Sequence, residues 1–150
     1  MSAITPNAAN HAGLPSLASR FVEVAALPWE KTRHPGVETK ALVADPGSGL
    51  LTVLTKMAPG ARLPDHEHVL VEQTLVLEGA LYCDEGMCRA GDFVWRPAGS
   101  RHAAWAGPDG CVALAMFQVP NKFYESDGRV LDFLGNDWQA TWGNKIQSKG

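Results

Sequence analysis

Short apolar runs alternate with turn signals along most of the chain. The apolar runs are residues 39–44, 50–57, 74–77, 80–83, 92–96 and 111–119. Clusters of glycine, proline, aspartate and serine separate them, as at residues 45–49 and 107–110. Strands that recur at intervals of about 8–12 residues are typical of β-sandwiches and β-barrels. The pattern therefore predicts an all-β fold.

The two ends of the chain differ from this pattern. Residues 1–20 are rich in Ser, Ala, Asn and Pro without an apolar period, and we expect a flexible arm or an edge strand that packs on a partner subunit. Residues 21–150 then form the barrel with a C-terminal extension. There, Asp127-Gly128 predicts a hairpin turn, and Asp137 predicts the cap of a short helix. Trp138 and Trp142 share one face of that helix. We expect them to pack on the barrel; closing one mouth of the pocket is the alternative.

Composition excludes several classes of function. The chain has 150 residues, enough for one domain, and a formal net charge of -3. It has no basic run, so a nucleic-acid partner is not expected. Its apolar stretches are far shorter than the roughly 20 residues of a membrane helix. The start lacks the features of a secretory signal, which favours a cytoplasmic protein. Three cysteines, Cys83, Cys88 and Cys111, are then read as reduced structural thiols; a redox or metal role for the first two is the alternative.

The histidines carry the candidate chemistry. His66 and His68 project to the same side of a strand, and Glu72 follows after a short turn, where it can open the next strand facing the same interior. His102 arrives from a separate hairpin. Two or three imidazoles with one carboxylate suit Fe(II), Mn(II), Ni(II) or Zn(II), and four protein ligands leave up to two open positions on a six-coordinate ion. Open positions distinguish a reactive site from a closed structural one. The remaining histidines, His11 and His34, are assigned no role.

These residues resemble the two motifs of the cupin superfamily. Residues 60–79 read G-x5-H-x-H-x3-E-x6-G, and residues 91–102 read G-x5-P-x-G-x2-H. The family usually has an asparagine where this chain has Ala106, but that asparagine is not a metal ligand. The resemblance implies a double-stranded β-helix (jelly-roll) barrel, here with a short C-terminal helix, and a homodimer. The metal ligands that it implies are His66, His68, Glu72 and His102.

Looser resemblances suggest a function. The overall length and residues 120–124 are similar to single-domain cupin dioxygenases that cleave carbon–carbon bonds in diketones and hydroxyacetophenones. Residues 27–29, 35–37, 59–61 and 75–79 resemble the cupin domain of zinc-binding anti-sigma factors. Our first hypothesis is an Fe(II) dioxygenase with a small-molecule substrate, in which Glu72 binds the metal or takes the substrate proton. The alternatives are a non-catalytic zinc-binding sensor and a redox-neutral isomerase or decarboxylase.

The sequence leaves the pocket wall open. Phe93 and Trp95 share one face of a strand, and Val94 and Arg96 share the other. An inward aromatic face would predict a flat, apolar substrate; an outward one would suit a dimer interface. Two further arginines, Arg62 and Arg101, lie close to the ligands in sequence. We expect both at the solvated surface, with a contact to a substrate carboxylate as the alternative.

Overall fold

The computed structural model describes residues 3–147, which form a curled β-sheet and one helix. The strands are β1 (Glu30–Lys31), β2 (Val37–Asp45), β3 (Leu50–Met57), β4 (Arg62–Glu67), β5 (Glu72–Cys83), β6 (Gly86–Arg89), β7 (Phe93–Arg96), β8 (Arg101–Phe117), β9 (Lys122–Tyr124) and β10 (Val130–Leu131). Helix α1 spans Trp138–Gln147, and two 3-10 turns lie at Ala9–His11 and Val24–Ala26. The predicted all-β barrel with a short C-terminal helix is confirmed.

The long strand β8 organises the sheet. The hydrogen-bonded order runs β1-β2-β3-β8-β4-β9-β10, while β5 pairs with β6, β7 and β8. The first half of β8 pairs with β4, its second half pairs with β3, and β5 contacts both halves. All of these pairs are antiparallel. Because one strand bridges so many others, the sheet curls around an interior instead of remaining open.

The crossing of β5 and β8 requires a glycine. Register shifts interrupt this pair between Val76 and Glu78 and again between Gly79 and Leu81. Gly79 has a φ of +70°, and a Cβ placed on it would lie 2.0 Å from the carbonyl oxygen of Gly110. A side chain is therefore excluded by both the conformation and the close approach of the two backbones. The last glycine of the first sequence motif has this structural reason.

A cluster of buried apolar side chains fills one part of the barrel interior. Its members are Val37, Met57, Val76, Ala106, Cys111 and Ala113. Partly buried side chains, including Leu63, Leu81 and Phe133, pack against the cluster. Burial of such apolar surface contributes about 25 cal/mol per Å² removed from water. This core involves none of the candidate metal ligands.

The predicted tail elements are present. β9 and β10 form the hairpin around Asp127-Gly128, and the Asp137 carboxylate caps helix α1 by accepting from the Ala140 N–H at 2.8 Å. Trp138 is 2% exposed, and its indole N–H donates to the Pro120 carbonyl. This tryptophan packs on the barrel, as predicted.

At the other end, Ile4 pairs with Ala44 at the edge of β2 through two backbone hydrogen bonds. Within residues 3–147, no helix has the length and apolar character needed to cross a membrane.

The hairpin of β5 and β6 places Cys83 opposite Gly86 and Cys88 opposite Leu81. The two thiols thus lie on opposing strands of this hairpin.

Candidate metal centre

Three of the four predicted ligands come together in the barrel wall. His66 on β4 and His102 on β8 are direct cross-strand partners. His68 lies one residue beyond β4, where its N–H donates to the Ser100 carbonyl at 2.8 Å and its carbonyl accepts from the Gly99 N–H at 2.6 Å. These two bonds tie His68 to the turn before β8. One ligand atom from each histidine lies within 4.8 Å of the other two, and all three residues are buried.

The imidazole nitrogens converge in a way that suits a metal ion. The Nε2 atoms of His68 and His102 face each other at 2.7 Å. The Nδ1 atom of His66 lies 2.8 Å from the Pro64 carbonyl, which fixes that nitrogen as the donor and leaves the Nε2 lone pair available. Among the described residues, the Nδ1 atoms of His68 and His102 are buried without a hydrogen-bond partner. Three convergent imidazoles are a donor set for Fe(II), Zn(II) and related divalent ions. The residues present therefore fit a metal.

Burial keeps two of these imidazoles in the neutral, metal-binding form. It lowers the pKa of His66 to about 4, although the bond to the Pro64 carbonyl opposes the shift. Burial, with the positive charge of Arg96 as the next cause, lowers the pKa of His102 to about 3. Neutral imidazole is the form that binds a metal ion. At neutral pH, neither ring needs to lose a proton before it binds a metal ion.

The fourth predicted ligand, Glu72, lies beside the histidine cluster. Its Oε2 is 3.4 Å from the Nδ1 of His68 and accepts from the Asn121 amide at 3.3 Å. Its Oε1 accepts from the Thr74 hydroxyl at 3.0 Å. Burial by itself raises the pKa of the Glu72 carboxyl, but the neighbouring His68 and His66 and the Thr74 hydroxyl bring it below its ordinary value. Glu72 is thus a carboxylate at neutral pH; its binding to the metal stays a prediction.

His66 and His102 open onto a cavity of about 440 Å³. Its wall is largely apolar. The residues that line it include Val53, Leu63, Leu81, Ala104, Ala113, Ala115, Phe117 and Phe133, with His66, Glu72, Arg96, His102 and Trp142 among the polar and aromatic members. Trp142 therefore lies at the cavity wall, which fits the alternative stated for it above. The volume is that of a site for a small organic molecule.

The structure decides which face of β7 looks inward. Arg96 is 8% exposed and lines the cavity, whereas Phe93 and Trp95 are 50% and 57% exposed. The aromatic face therefore does not form the pocket, and it gives no evidence for a flat substrate. Its position is compatible with the dimer interface considered above.

The other two arginines lie at the surface, as expected. Arg62 stacks on the Trp105 ring, and Arg101 is half exposed and paired with Asp65 at 2.5 Å. Sequence reasoning gave no role to three residues of the site, namely Arg96, Thr74 and Asn121. The signal for Thr74 was present, because it lies two residues after Glu72 on the same strand face. Asn121 lies beyond β8, and nothing in the sequence connects it with Glu72.

Comparison with known proteins places the chain in a family. The curled β-sheet and the three clustered histidines are those of a cupin-like barrel with a candidate metal site. Residues 18–120 match the family model described as the ChrR cupin-like domain. This match covers more than half of the chain, so the protein belongs to the ChrR cupin-like family. A search of curated proteins found no match.

Solved structures support the fold. A cupin-like protein of unknown function from Ralstonia eutropha is 24% identical with a TM-score of 0.68, covering 86% of this chain and 85% of the other. Acetylacetone dioxygenase from Acinetobacter johnsonii is 16% identical with a TM-score of 0.69, and the match covers 88% of this chain and 96% of the other. One chain in the crystal structure of Rhodobacter sphaeroides SigE in complex with the anti-sigma factor ChrR is 28% identical to this chain, with a TM-score of 0.55. That match covers 63% of this chain and 51% of the other chain.

Proposed function

We propose that the protein is a metal-dependent enzyme, an Fe(II) dioxygenase that cleaves a carbon–carbon bond in a small diketone or hydroxyacetophenone-like compound. The observation that carries the proposal is the convergence of His66, His68 and His102 beside an apolar cavity that His66 and His102 line. A closed structural site would have no need of such a space beside it. The fold likeness to acetylacetone dioxygenase from Acinetobacter johnsonii supports the same class of reaction.

The three histidines would hold the ion, with Glu72 as the predicted fourth ligand or as a proton acceptor. A bound ferrous ion supplies Lewis-acid polarisation of a substrate carbonyl. In the second role, Glu72 Oε2 takes the proton from the carbon between two carbonyl groups and leaves an enolate. The lowered pKa of Glu72 keeps that oxygen unprotonated at neutral pH. Asn121 and Thr74 orient the carboxylate through one hydrogen bond each.

The apolar wall contributes by excluding water and selecting substrates. The side chains that β8 contributes to the cavity at residues 104, 113 and 115 are alanines, and their small size leaves room for a ligand. The short alkyl or aryl groups of a small carbonyl compound would match such a wall. Water exclusion also strengthens every electrostatic contact made to the developing enolate.

The second candidate function is a non-catalytic, zinc-binding sensor. The match to the ChrR cupin-like family and the 28% identity to the ChrR chain in its complex with SigE favour it. The chain spans about half of that anti-sigma protein, so the comparison concerns the barrel and not the whole partner-binding protein. In this role the same histidines would bind zinc, and the cavity would bind an effector without turnover.

Metal content and oxygen consumption separate the two candidates. The protein should be purified without chelator and without an affinity nickel column, then analysed for its metals. A second sample should be loaded anaerobically with Fe(II) and tested for oxygen uptake with acetylacetone and with 2,4'-dihydroxyacetophenone. Near-stoichiometric iron and substrate-dependent uptake are expected. Stoichiometric zinc without uptake for any diketone or hydroxyketone would contradict the dioxygenase and favour the sensor.

A homodimer is also proposed, through the outward face of β5 and β7. Phe93, Trp95 and Leu77 are all substantially exposed there, and an apolar sheet face of this kind commonly marks an interface. Sedimentation equilibrium is expected to give a dimer mass. Replacing Trp95 with Glu should shift the protein to the monomer without loss of bound metal, whereas a monomeric wild type would contradict the proposal.

A further inference from the structure

Arg96 is a buried cation in the wall of the metal cavity. It is 8% exposed and is directly opposite Glu72 in the pairing of β7 with β5. Cross-strand partners point to the same face of a sheet, so the guanidinium enters the interior on the side of the candidate metal centre. Arg96, Glu72 and His102 all line the cavity. A buried guanidinium is costly unless an acceptor compensates its charge.

The protein itself compensates Arg96 poorly. Its Nη1 donates to the Cys83 sulfur at 3.4 Å, and a thiol sulfur is a weak acceptor. The same nitrogen lies 3.6 Å from a carboxylate oxygen of Glu85, whose side chain is 78% exposed. Within residues 3–147, the hydrogen bond and the ion pair found for this guanidinium both use Nη1. A guanidinium offers a planar fork of donors that fits a carboxylate in a bidentate manner. The unused edge of Arg96 is thus available to a ligand.

The guanidinium of Arg96 lies near the His102 ring of the candidate metal centre. One atom each from Cys83, Glu85 and His102 lie within 4.8 Å of one another, and Arg96 Nη1 contacts the first two of these residues. The guanidinium is therefore separated from the His102 ring by no more than the length of a small organic molecule. The Cys83–Glu85–His102 group does not need a second cation, because Arg96 already provides positive charge there. The donors that Arg96 leaves unused suit the oxygens of an anionic ligand.

We propose that Arg96 binds a carboxylate of the substrate. The substrate is then a carbonyl compound, such as a β-diketone, that carries a carboxylate a few bonds from the oxygens directed at the metal. Its remaining carbon atoms lie against the apolar wall. This inference rests on the proposed function, since it assumes that the carbonyl end is held at the histidines. It goes further by assigning the substrate to the anionic keto acids instead of the neutral diketones.

A carboxylic acid and its uncharged methyl ester test this assignment. The acid 2,4-dioxopentanoate and its methyl ester share one diketone, but only the acid has a free carboxylate. Binding of each to the zinc-loaded protein, which does not turn over, is measured by titration calorimetry. We expect the wild type to bind the acid at least tenfold more tightly than the ester. Equal affinities, or binding of neither compound, would overturn the proposal.

Variants of Arg96 test whether this residue causes the preference for the acid over the ester. Arg96→Gln should weaken binding of the acid at least tenfold and leave binding of the ester and the zinc content unchanged. Arg96→Lys should retain part of the preference, because it keeps the charge but loses the bidentate geometry. The matched control is Arg101→Gln, which removes an exposed arginine next to His102; it should behave as the wild type. Equal weakening of acid and ester by Arg96→Gln would indicate a structural role and contradict the proposal.

The outcome is distinguishable from that of the dioxygenase proposal. A wild type that prefers the acid but consumes no oxygen when loaded with iron supports Arg96 and contradicts the dioxygenase. Oxygen uptake with acetylacetone, combined with equal affinity for acid and ester, supports the dioxygenase and contradicts the role of Arg96. If the protein binds no metal, the metal analysis alone contradicts the dioxygenase proposal, before the two ligands are compared.

Discussion

His66 and His102 are direct cross-strand partners on β4 and β8, with their ring centroids 4.9 Å apart. The separation of these two rings is therefore set by the backbone pairing of the barrel. His68 is fixed independently by its two backbone hydrogen bonds to Gly99 and Ser100. The core cluster contains none of the three histidines, so backbone pairing, and not the ion, positions their rings.

The first prediction is that His66→Ala and His102→Ala each abolish stoichiometric metal binding while the metal-free barrel stays folded. Each change removes one of three convergent nitrogens but leaves the core intact. Metal analysis and urea unfolding followed by tryptophan fluorescence test both parts. His11→Ala, in the N-terminal segment, is the matched control and should keep the metal. Loss of cooperative unfolding in both variants would mean that the ion is structural.

The second prediction concerns Glu72. Glu72→Gln keeps the shape but removes the charge that lies beside His68 and accepts from Asn121. We expect the variant to retain its metal with an affinity reduced about 10–100-fold, as for other partners of metal-bound histidines, and to lose substrate-dependent oxygen uptake. Thr74→Val removes one donor to Glu72 but leaves the carboxylate, so it should reduce oxygen uptake less than Glu72→Gln does.

Two other results for Glu72→Gln would be informative. Complete loss of the metal on gel filtration would identify Glu72 as a direct ligand. Unchanged metal affinity together with unchanged uptake would exclude both of its proposed roles.

The sequence predicted the three histidines for a clear physical reason. The alternation of a strand places His66 and His68 on one face, and the turn signals at Pro97 and Gly99 bring His102 back beside them. These are local properties of the chain, so one sequence suffices to find them. The all-β fold was predictable from the same kind of signal, namely short apolar runs separated by turns.

The inward position of Arg96 was not predictable in this way. Alternation separates Arg96 from Phe93 and Trp95, but it does not say which face is buried. That choice follows from the pairing of Arg96 with Glu72, a long-range register that depends on the turn between β6 and β7. The contact of Asn121 with Glu72 likewise joins residues that are distant in sequence. Tertiary pairing thus determines the residues around the candidate metal centre, while the local pattern determines the candidate ligands.

The third prediction is a pH dependence of stability that involves His34. This residue packs between Phe123 and Phe133, and its buried Nε2 has no hydrogen-bond partner among the described residues. Burial, assisted by the charge of Arg33, lowers the pKa of His34 to about 4. The unfolded chain, with an ordinary histidine pKa of about 6.5, therefore binds more protons than the folded one between these two values. Stability should be full above pH 6.5 and should decrease as the pH falls towards 4.

The variant His34→Phe tests this assignment. It replaces the ring by one that cannot be protonated and that matches its phenylalanine neighbours. Denaturant unfolding of the metal-free protein between pH 4 and pH 8 should give a shallower slope than the wild type. The difference at pH 4 is at most about 3 kcal/mol, from about 1.4 kcal/mol for each pKa unit. An unchanged slope would show that other groups cause the acid sensitivity.

The fourth prediction is that the cavity can be filled. Ala115 lines it from β8, where its strand partners are Val53 and Thr74. Ala115→Leu adds three carbon atoms in an apolar space, and each buried methylene contributes about 0.8 kcal/mol. The variant should therefore be as stable as the wild type or more so, while binding of 2,4-dioxopentanoate to the zinc-loaded protein falls at least tenfold. Ala90→Leu, in an exposed turn, is the matched control and should leave binding unchanged. If Ala115→Leu binds the acid as tightly as the wild type, the ligand lies outside the cavity, and the histidines and Arg96 do not act on a common molecule.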